Sequence, residues 1–532
     1  MKVTFINLYS QETIARYLLS SYVLKAYLNK FFIGENNIYI NILNFSTNTS
    51  IPKICEGIIK DNPDCIGYSC YIWNVEKIFK IIENLKYKNK LKAIHILGGP
   101  EISLSRVNSL LGLTLGDYFV IGEGERKLFN LIRYLKVKNN NFDIEFPKGA
   151  TYWNNNKLNY VEDTNRIVNL DEIPSIYLSG VIEDRLYARQ QAFLETQRGC
   201  CYKCKYCVYH KNLSSICYYS QKRIFDELDY LIVKKRISAL RIFDAIFTSD
   251  LKRAKKIVQH LLELKNIKDV RLPWIYWEFT YQKIDEEFIK LIASLKYCEK
   301  ILNSEKIPIL DRPQHYSDMV KNYTVINSVG VESFCGQALK AIGRAKIDRR
   351  KFDEFMNITR EYNIVLKLDL ILGLPFETFD SYFEGLKFFL PYFRNTDHIL
   401  NIHRLQILPG SDLESLCETY RIKYSWKAPH LVFSTYSFSE EELIYASKLS
   451  AVLFRIVNSP LRRRFFEAKD RIGGTFLQLL ERIFNGITAS RKLKKIQLIQ
   501  NDCVDDIYWN DDIYREIPSQ WLIDFLEGIE KG

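Results

Sequence analysis

Short apolar runs alternate with amphipathic stretches twice along this 532-residue chain, once before residue 140 and again after residue 190. In the first pass the apolar runs are Val3–Tyr9, Ile38–Leu43, Cys65–Ser69, Ala93–Leu97 and Tyr118–Ile121. Each is too short for a helix and largely apolar in both registers, the pattern of a strand buried on both faces. Glu12–Lys30, Ile51–Ile59, Val75–Lys86 and Ser103–Leu111 lie between them, and Glu125–Leu135 follows the last. Parallel strands need a crossover, normally a helix, so this order predicts an open parallel α/β sheet. Ligands of such sheets bind beyond the carboxyl ends of the strands.

The second pass starts from a strand near residue 191 and continues through Ala239–Ile246, Ile275–Phe279, Tyr323–Glu332, Leu366–Leu372 and His398–Leu408. Six strand–helix units predict a partial parallel barrel of the TIM type, with its ligands again at the carboxyl ends. Ala150–Tyr160 reads as a hairpin turning at 154–156, and Arg166–Tyr177 as an ordered connector. Beyond the barrel, Ser439 is a helix N-cap followed by three acids, and the rest is mainly amphipathic helix. The expected organisation is therefore 1–140, 141–190, 191–412 and 413–532, in keeping with about 150 residues per domain. Cys298–Lys321, with Pro308 and Pro313, is expected to be an insertion before the fourth barrel strand.

Cys200, Cys204 and Cys207 follow the first barrel strand with the spacing C-x3-C-x2-C. A 4Fe–4S cluster normally takes four thiolates. Three from one loop leave one iron open to a small molecule, as open zinc sites keep a position for catalysis. Cys204 and Cys207 also fit half of a zinc knuckle, and Cys201 offers the alternative frame C-x2-C-x2-C. Twelve cysteines without a secretory signal argue for reduced thiols and a cytoplasmic protein. No apolar stretch is long enough to cross a membrane. The formal charge of +12 is read as a lysine-rich composition spread over solvated faces, not as a nucleic-acid footprint. Its densest clusters are Arg462–Arg464 and Arg491–Lys495.

The strand ends of the first sheet carry Ser69, Tyr71 and Trp73, then Gly98-Gly99-Pro100-Glu101, then Gly122-Glu123-Gly124-Glu125. Glycines there let backbone approach a bulky ligand. These residues resemble the cobalamin-binding domain found ahead of many radical S-adenosylmethionine (SAM) enzymes. The barrel strengthens the likeness through Arg198-Gly-Cys-Cys-Tyr-Lys-Cys-Lys-Tyr-Cys207, Ser328-Val-Gly-Val-Glu-Ser333, Leu339-Lys-Ala-Ile-Gly-Arg344, Leu368-Asp-Leu-Ile-Leu-Gly-Leu-Pro-Phe-Glu-Thr378 and Leu405-Gln-Ile-Leu-Pro-Gly410. The chain thus resembles cobalamin-dependent radical SAM enzymes over nearly its whole length. The resemblance implies a Rossmann-like, flavodoxin-type cobalamin domain, a partial (β/α)6 radical SAM barrel and a helical C-terminal region.

It further implies that the three cysteines hold the cluster and that Tyr206, Asp244, Glu278, Glu332, Arg344, Asp369 and Gln406 surround SAM. Arg344 would pair with the SAM carboxylate, Glu332 and Asp369 with ribose hydroxyls, and Glu278 with the ammonium. Asp244 would replace the acid of the usual Gly-Gly-Glu run, which this chain lacks. The Asp-x-His-x-x-Gly cobalt-ligating loop is also missing, and His95 reads as a core residue of its strand. Cys55, Cys65 and Cys70, possible ligands of a second cluster as in methylthiotransferases, read better as core. The activity implied is methylation of an unactivated carbon in a small molecule or peptide, with an external reductant such as flavodoxin or ferredoxin. The alternatives are ring closure, rearrangement or aminocarboxypropyl transfer on the same cofactors, and a non-catalytic cobalamin or cluster sensor.

Overall fold

The computed structural model describes residues 1–9, 17–34, 37–109, 115–138, 145–154, 157–163, 165–182, 190–209, 215–295, 325–490 and 519–531. The expected 298–321 insertion, the tip of the hairpin and the Arg491–Lys495 cluster lie outside them.

The first sheet is built from β1 (Lys2–Tyr9), β2 (Tyr39–Ser46), β3 (Cys65–Ser69), β4 (Ile94–Gly98), β5 (Tyr118–Val120), β6 (Ala150–Asn154) and β7 (Lys157–Tyr160). Their order is β2-β1-β3-β4-β5-β6-β7. β1 to β5 run parallel, while the hairpin β6–β7 joins antiparallel beside β5. The hairpin expected within the connector therefore extends the first sheet. Helices Leu19–Phe31, Ile51–Asp61, Val75–Glu83 and Glu125–Lys138 cover the faces. Side chains alternate across the pleat: Val3, Phe5, Cys65 and Ile96 enter one core, and Ile6, Leu8, Ile66 and Leu97 the other. Cys55 and Cys70 pack in the second core and Cys65 in the first, so the sheet keeps them from sharing a cluster. Burial pushes the Cys65 thiol up to about 12. His95 is fully buried in β4, stacked on Tyr68, and burial holds it down at about 4.

The second sheet comprises β8 (Gln191–Leu194), β11 (Ala239–Ile242), β12 (Trp274–Glu278), β13 (Val325–Glu332), β14 (Leu366–Leu372) and β15 (Ile399–Arg404), all parallel and adjacent in chain order. This is the expected six-stranded partial barrel. Between β8 and β11 a two-residue ladder pairs β9 (Gln197–Arg198) with β10 (Cys217–Tyr218). Helices Leu251–Lys265, Glu286–Ser294, Arg349–Glu361 and Phe379–Phe389 line the outside. After the barrel come a small antiparallel pair, β16 (Lys423–Tyr424) with β17 (Val432–Ser434), and helices Glu440–Val457, Arg462–Ile472, Phe476–Ala489 and Ser519–Lys531. Ser439 and Glu442 form the expected capping box. Among the described residues no helix is long and apolar enough to cross a membrane.

Candidate cofactor site between the two sheets

The cysteine loop leaves the carboxyl end of β8 and is pinned at both sides. Gly199, at φ +107°, is packed so closely that a Cβ would sit 2.9 Å from the Ser215 carbonyl. Farther on, Lys205 N–H donates to the Ile342 carbonyl at 2.9 Å, and the Lys205 carbonyl accepts from Leu413 N–H at 2.8 Å. Each ligand candidate has a donor on its sulfur. Tyr202 N–H reaches Cys200 Sγ at 3.4 Å, Tyr209 N–H reaches Cys207 Sγ at 3.4 Å, and the Arg344 guanidinium lies 3.8 Å from Cys204 Sγ. Donors to sulfur stabilise thiolate and tune iron–sulfur centres. Burial otherwise raises Cys204 and pushes Cys207 up to about 11, so these thiols ionise on gaining metal. Among the described residues no three His, Cys, Asp or Glu side chains converge on a single-ion position. A cubane instead takes one thiolate per iron, at separate corners. Cys201 lies against the Cys200 thiol and also meets the Ser249 hydroxyl, 3.9 Å from its sulfur. The donor set fits a cluster held by Cys200, Cys204 and Cys207.

Around the loop the barrel gathers several expected residues. Tyr206 donates to Glu332 Oε1 at 2.7 Å, and Arg344 lies 3.9 Å from the same oxygen. Arg344 also donates to the Gly330 carbonyl at 2.6 Å and its guanidinium lies over the Tyr202 ring. The bulge between Gly330 and Glu332 puts Glu332 at φ +68°, turning its carboxylate toward Tyr206. Asp369 accepts from Ser328 at 2.7 Å and lies 3.1 Å from Lys367 Nζ, with Asn401 and His403 alongside. Burial alone would raise Asp369, but Lys367 and His403 hold it well below the usual carboxylate range. Glu278, with the Tyr276 hydroxyl at 3.4 Å, is raised by burial. Gln406 is half-buried and bridges to Leu431.

Asp244 departs from expectation. It is 2% exposed, and both oxygens are occupied, accepting from the Thr196 N–H at 2.7 Å, the Thr196 hydroxyl and the Gln197 N–H at 3.2 Å. It braces the chain entering the cysteine loop.

At the first sheet's carboxyl ends, Tyr71 stacks on Trp73 with centroids 4.5 Å apart, and Trp73 is 55% exposed. Ser20, absent from the sequence reading, accepts from Tyr71 at 3.0 Å and donates to Ser69 at 3.1 Å. Tyr71 is close enough to the cysteine loop to feel the charge of Glu195. An exposed aromatic platform flanked by hydroxyls suits a large planar cofactor. The glycines serve the chain itself. A Cβ on Gly99, at φ +105°, would lie 2.6 Å from the Cys70 carbonyl, and one on Gly124 would lie 3.1 Å from Leu24. Gly98 is held under Val120, while Pro100 and Gly122 are exposed turn residues. Three acids expected to contact cofactor have protein partners. Glu101, 2% exposed, meets His430 Nε2 at 3.0 Å. Glu125 accepts from Arg198 at 2.7 Å, and Glu123 lies 3.4 Å from it. Burial would raise Glu125, but Arg198 brings it below its usual range. The sequence reading did not single out Arg198, Glu195, Lys367 or His403.

The model of the B12 binding domain matches residues 23–132, which span β2 to β5 and most of their helices. The chain is 24% identical over 380 residues to the cobalamin-dependent radical SAM methyltransferase TokK of Streptomyces tokunonensis, covering 69% of this chain and 50% of that protein. It is 22% identical over 361 residues to the 2-(S-pantetheinyl)-carbapenam-3-carboxylate methyltransferase of Streptantibioticus cattleyicolor, covering 66% of this chain and 48% of that one. The alignments thus span about half the length of these relatives. The cobalamin-dependent SAM radical enzyme OxsB, solved with aqua-cobalamin and SAM, shares the fold at TM-score 0.61 and 15% identity, over 100% of this chain and 81% of that one. The chain thus carries a B12-binding domain ahead of a six-stranded parallel barrel with a three-cysteine loop, and over about two thirds of its length it is similar to cobalamin-dependent radical SAM methyltransferases.

Proposed function

We propose that this protein is a cobalamin- and SAM-dependent radical enzyme that methylates an unactivated carbon of a small molecule or peptide. When bound, the cluster supplies an electron for SAM cleavage and cobalamin carries the transferable methyl group. In this reading residues 1–140 hold cobalamin, 191–412 hold cluster and SAM, 141–190 link them, and 413–532 shape the substrate side. The carrying observation is the set of three thiols, each with its own donor, at the carboxyl end of a parallel barrel. Arg344, beside Cys204, offers a planar fork to a carboxylate. Asp369, kept ionised by Lys367 and His403, accepts hydroxyl donors. Tyr206 and Glu332 form the wall beside them. The methyltransferase relatives favour methyl transfer, and a flavodoxin or ferredoxin would serve as reductant.

The test is anaerobic reconstitution with iron, sulfide and hydroxocobalamin, followed by iron and cobalt counts and a deoxyadenosine assay. Cys200→Ala, Cys204→Ala and Cys207→Ala should each lose stable cluster and SAM cleavage, whereas Cys201→Ala should keep both. A silent Cys200→Ala beside an inactive Cys201→Ala would reverse the ligand frame. Methyl-labelled SAM then separates methylation, which puts label in the product, from ring closure or rearrangement, which does not.

A further inference from the structure

The carboxyl end of β5 and the entrance to the cysteine loop share one buried charge cluster. Arg198, two residues before Cys200, has a side chain only 12% exposed. Its Nε donates to Glu195 at 2.9 Å, on the barrel side. Its other two nitrogens reach Glu125 at 2.7 Å and Glu123 at 3.4 Å, both on the B12-binding domain. Arg166 reinforces the joint, lying 3.8 Å from Glu123 and donating to the Ser215 carbonyl that packs on Gly199. Glu125 opens the helix 125–138 and lies within the turn that follows β5, so its position fixes that turn. A guanidinium bonded to carboxylates on two bodies transmits orientation, because its five donors form a rigid plane.

We infer that Arg198 is a positioning residue that couples the cobalamin-binding turn Gly122–Glu125 to the cysteine loop. This rests on the functional reading above, in which cobalamin docks on the first sheet. The arginine locks the two loops in one register, so filling the first site changes the surroundings of the second. Lysine at this position would keep the charge and lose the fork. Glutamine at 125 would keep the shape and lose the attraction on the B12-binding side.

The experiment uses the full-length protein, anaerobically reconstituted with iron and sulfide and titrated with hydroxocobalamin. Cobalamin affinity is read by absorbance, and the reduced cluster by electron paramagnetic resonance with and without cobalamin. In the unaltered protein, cobalamin should change the cluster spectrum. Arg198→Lys and Glu125→Gln should keep full iron content and a cooperative fold with a lowered thermal midpoint, yet bind cobalamin about tenfold more weakly, the scale of one lost charge-assisted contact. The cobalamin-induced spectral change should vanish in both. Affinity and spectral response unchanged from the parent in both variants overturn the inference and leave the functional reading standing. Loss of iron together with fold in both variants also overturns it, because Arg198 would then be a plain structural tie. If only Arg198→Lys fails to fold, Glu125→Gln decides, since it lies outside the cysteine loop. A parent protein that takes up iron but no cobalamin sinks the functional reading itself.

Discussion

Glu377, on the turn after β14, has one carboxyl oxygen accepting from the Ser333 hydroxyl and the other without a partner among the described residues. It is 2% exposed, and burial lifts it from the usual carboxylate range to about 8. Asp369 in the same barrel goes the opposite way, because Lys367 and His403 supply charge that Glu377 lacks. The difference is a matter of partners, since both are buried. It has a consequence for stability. The folded state keeps a proton on Glu377 that the unfolded chain gives up near its ordinary value of 4.5. Stability from this group is therefore complete below that value and falls as pH rises toward about 8. Glu377→Gln removes the titration while keeping a polar side chain. Thermal midpoints measured from pH 5 to pH 9 should show the variant gaining on the parent steadily as pH rises. Parallel curves would show that Glu377 is ionised throughout.

At the scale of strands and turns, mainly apolar runs located every barrel strand to within a few residues, because strands buried on both faces keep apolar residues in both registers even where Lys367 or Asp369 intervenes. β11 and β15 end early, at Ile242 and Arg404, where expectation ran on to Ile246 and Leu408. Beyond Ile242 the backbone bends so that Asp244 meets Thr196 and Gln197, a tertiary demand that local sequence does not display. The protein partners of the acids at the first sheet's ends are hidden from local sequence for the same reason. Glu101, Glu123 and Glu125 stand at ligand-binding positions of a parallel sheet, and only the docking of a second domain reveals that His430 and Arg198 take them. Glycine was read as room for a ligand, whereas Gly99 makes room for the chain. Its Cβ would overlap the Cys70 carbonyl at 2.6 Å, and its φ of +105° is unfavourable for other residues. Gly180 has a comparable positive φ, +72°, with nothing within 4 Å of the added atom. Gly180→Ala should therefore cost only the backbone strain, about 1–3 kcal/mol. Gly99→Ala should cost clearly more in urea unfolding and weaken cobalamin binding, because the β3 and β4 ends must separate. Equal losses at the two positions would refute the crowding argument.

The whole molecule is held together by a second seam, separate from the Arg198 cluster. The segment from Gly410 to His430, which follows the barrel, lies against helices 75–83 and 104–109. Arg106 donates to the Trp426 carbonyl at 2.8 Å and lies over its ring, Ala428 N–H reaches Glu76 at 3.3 Å, and Ser105 donates to Glu414 at 2.9 Å. At its centre Glu101 and His430 meet at 3.0 Å with side chains 3% and 2% exposed. In the proposed function the two sheets must keep a fixed separation, and a single tie would leave a hinge. The Glu101–His430 pair follows β4 and the Arg198 cluster follows the neighbouring β5, so two separate ties oppose rotation between the sheets. His430→Ala would strand the Glu101 carboxylate in a dry contact, a loss of about 1–3 kcal/mol for a buried group without its partner. Glu101→Gln, which keeps a hydrogen-bonding side chain of the same size, should lose less. Because the loss falls on the joint, it should appear as a split urea transition, with residues 1–160 unfolding before the barrel. Tryptophan fluorescence and circular dichroism should then part company in His430→Ala and coincide in the parent. A single coincident transition in the variant, merely shifted to lower urea, would show that the pair stabilises the fold without governing how the domains are joined.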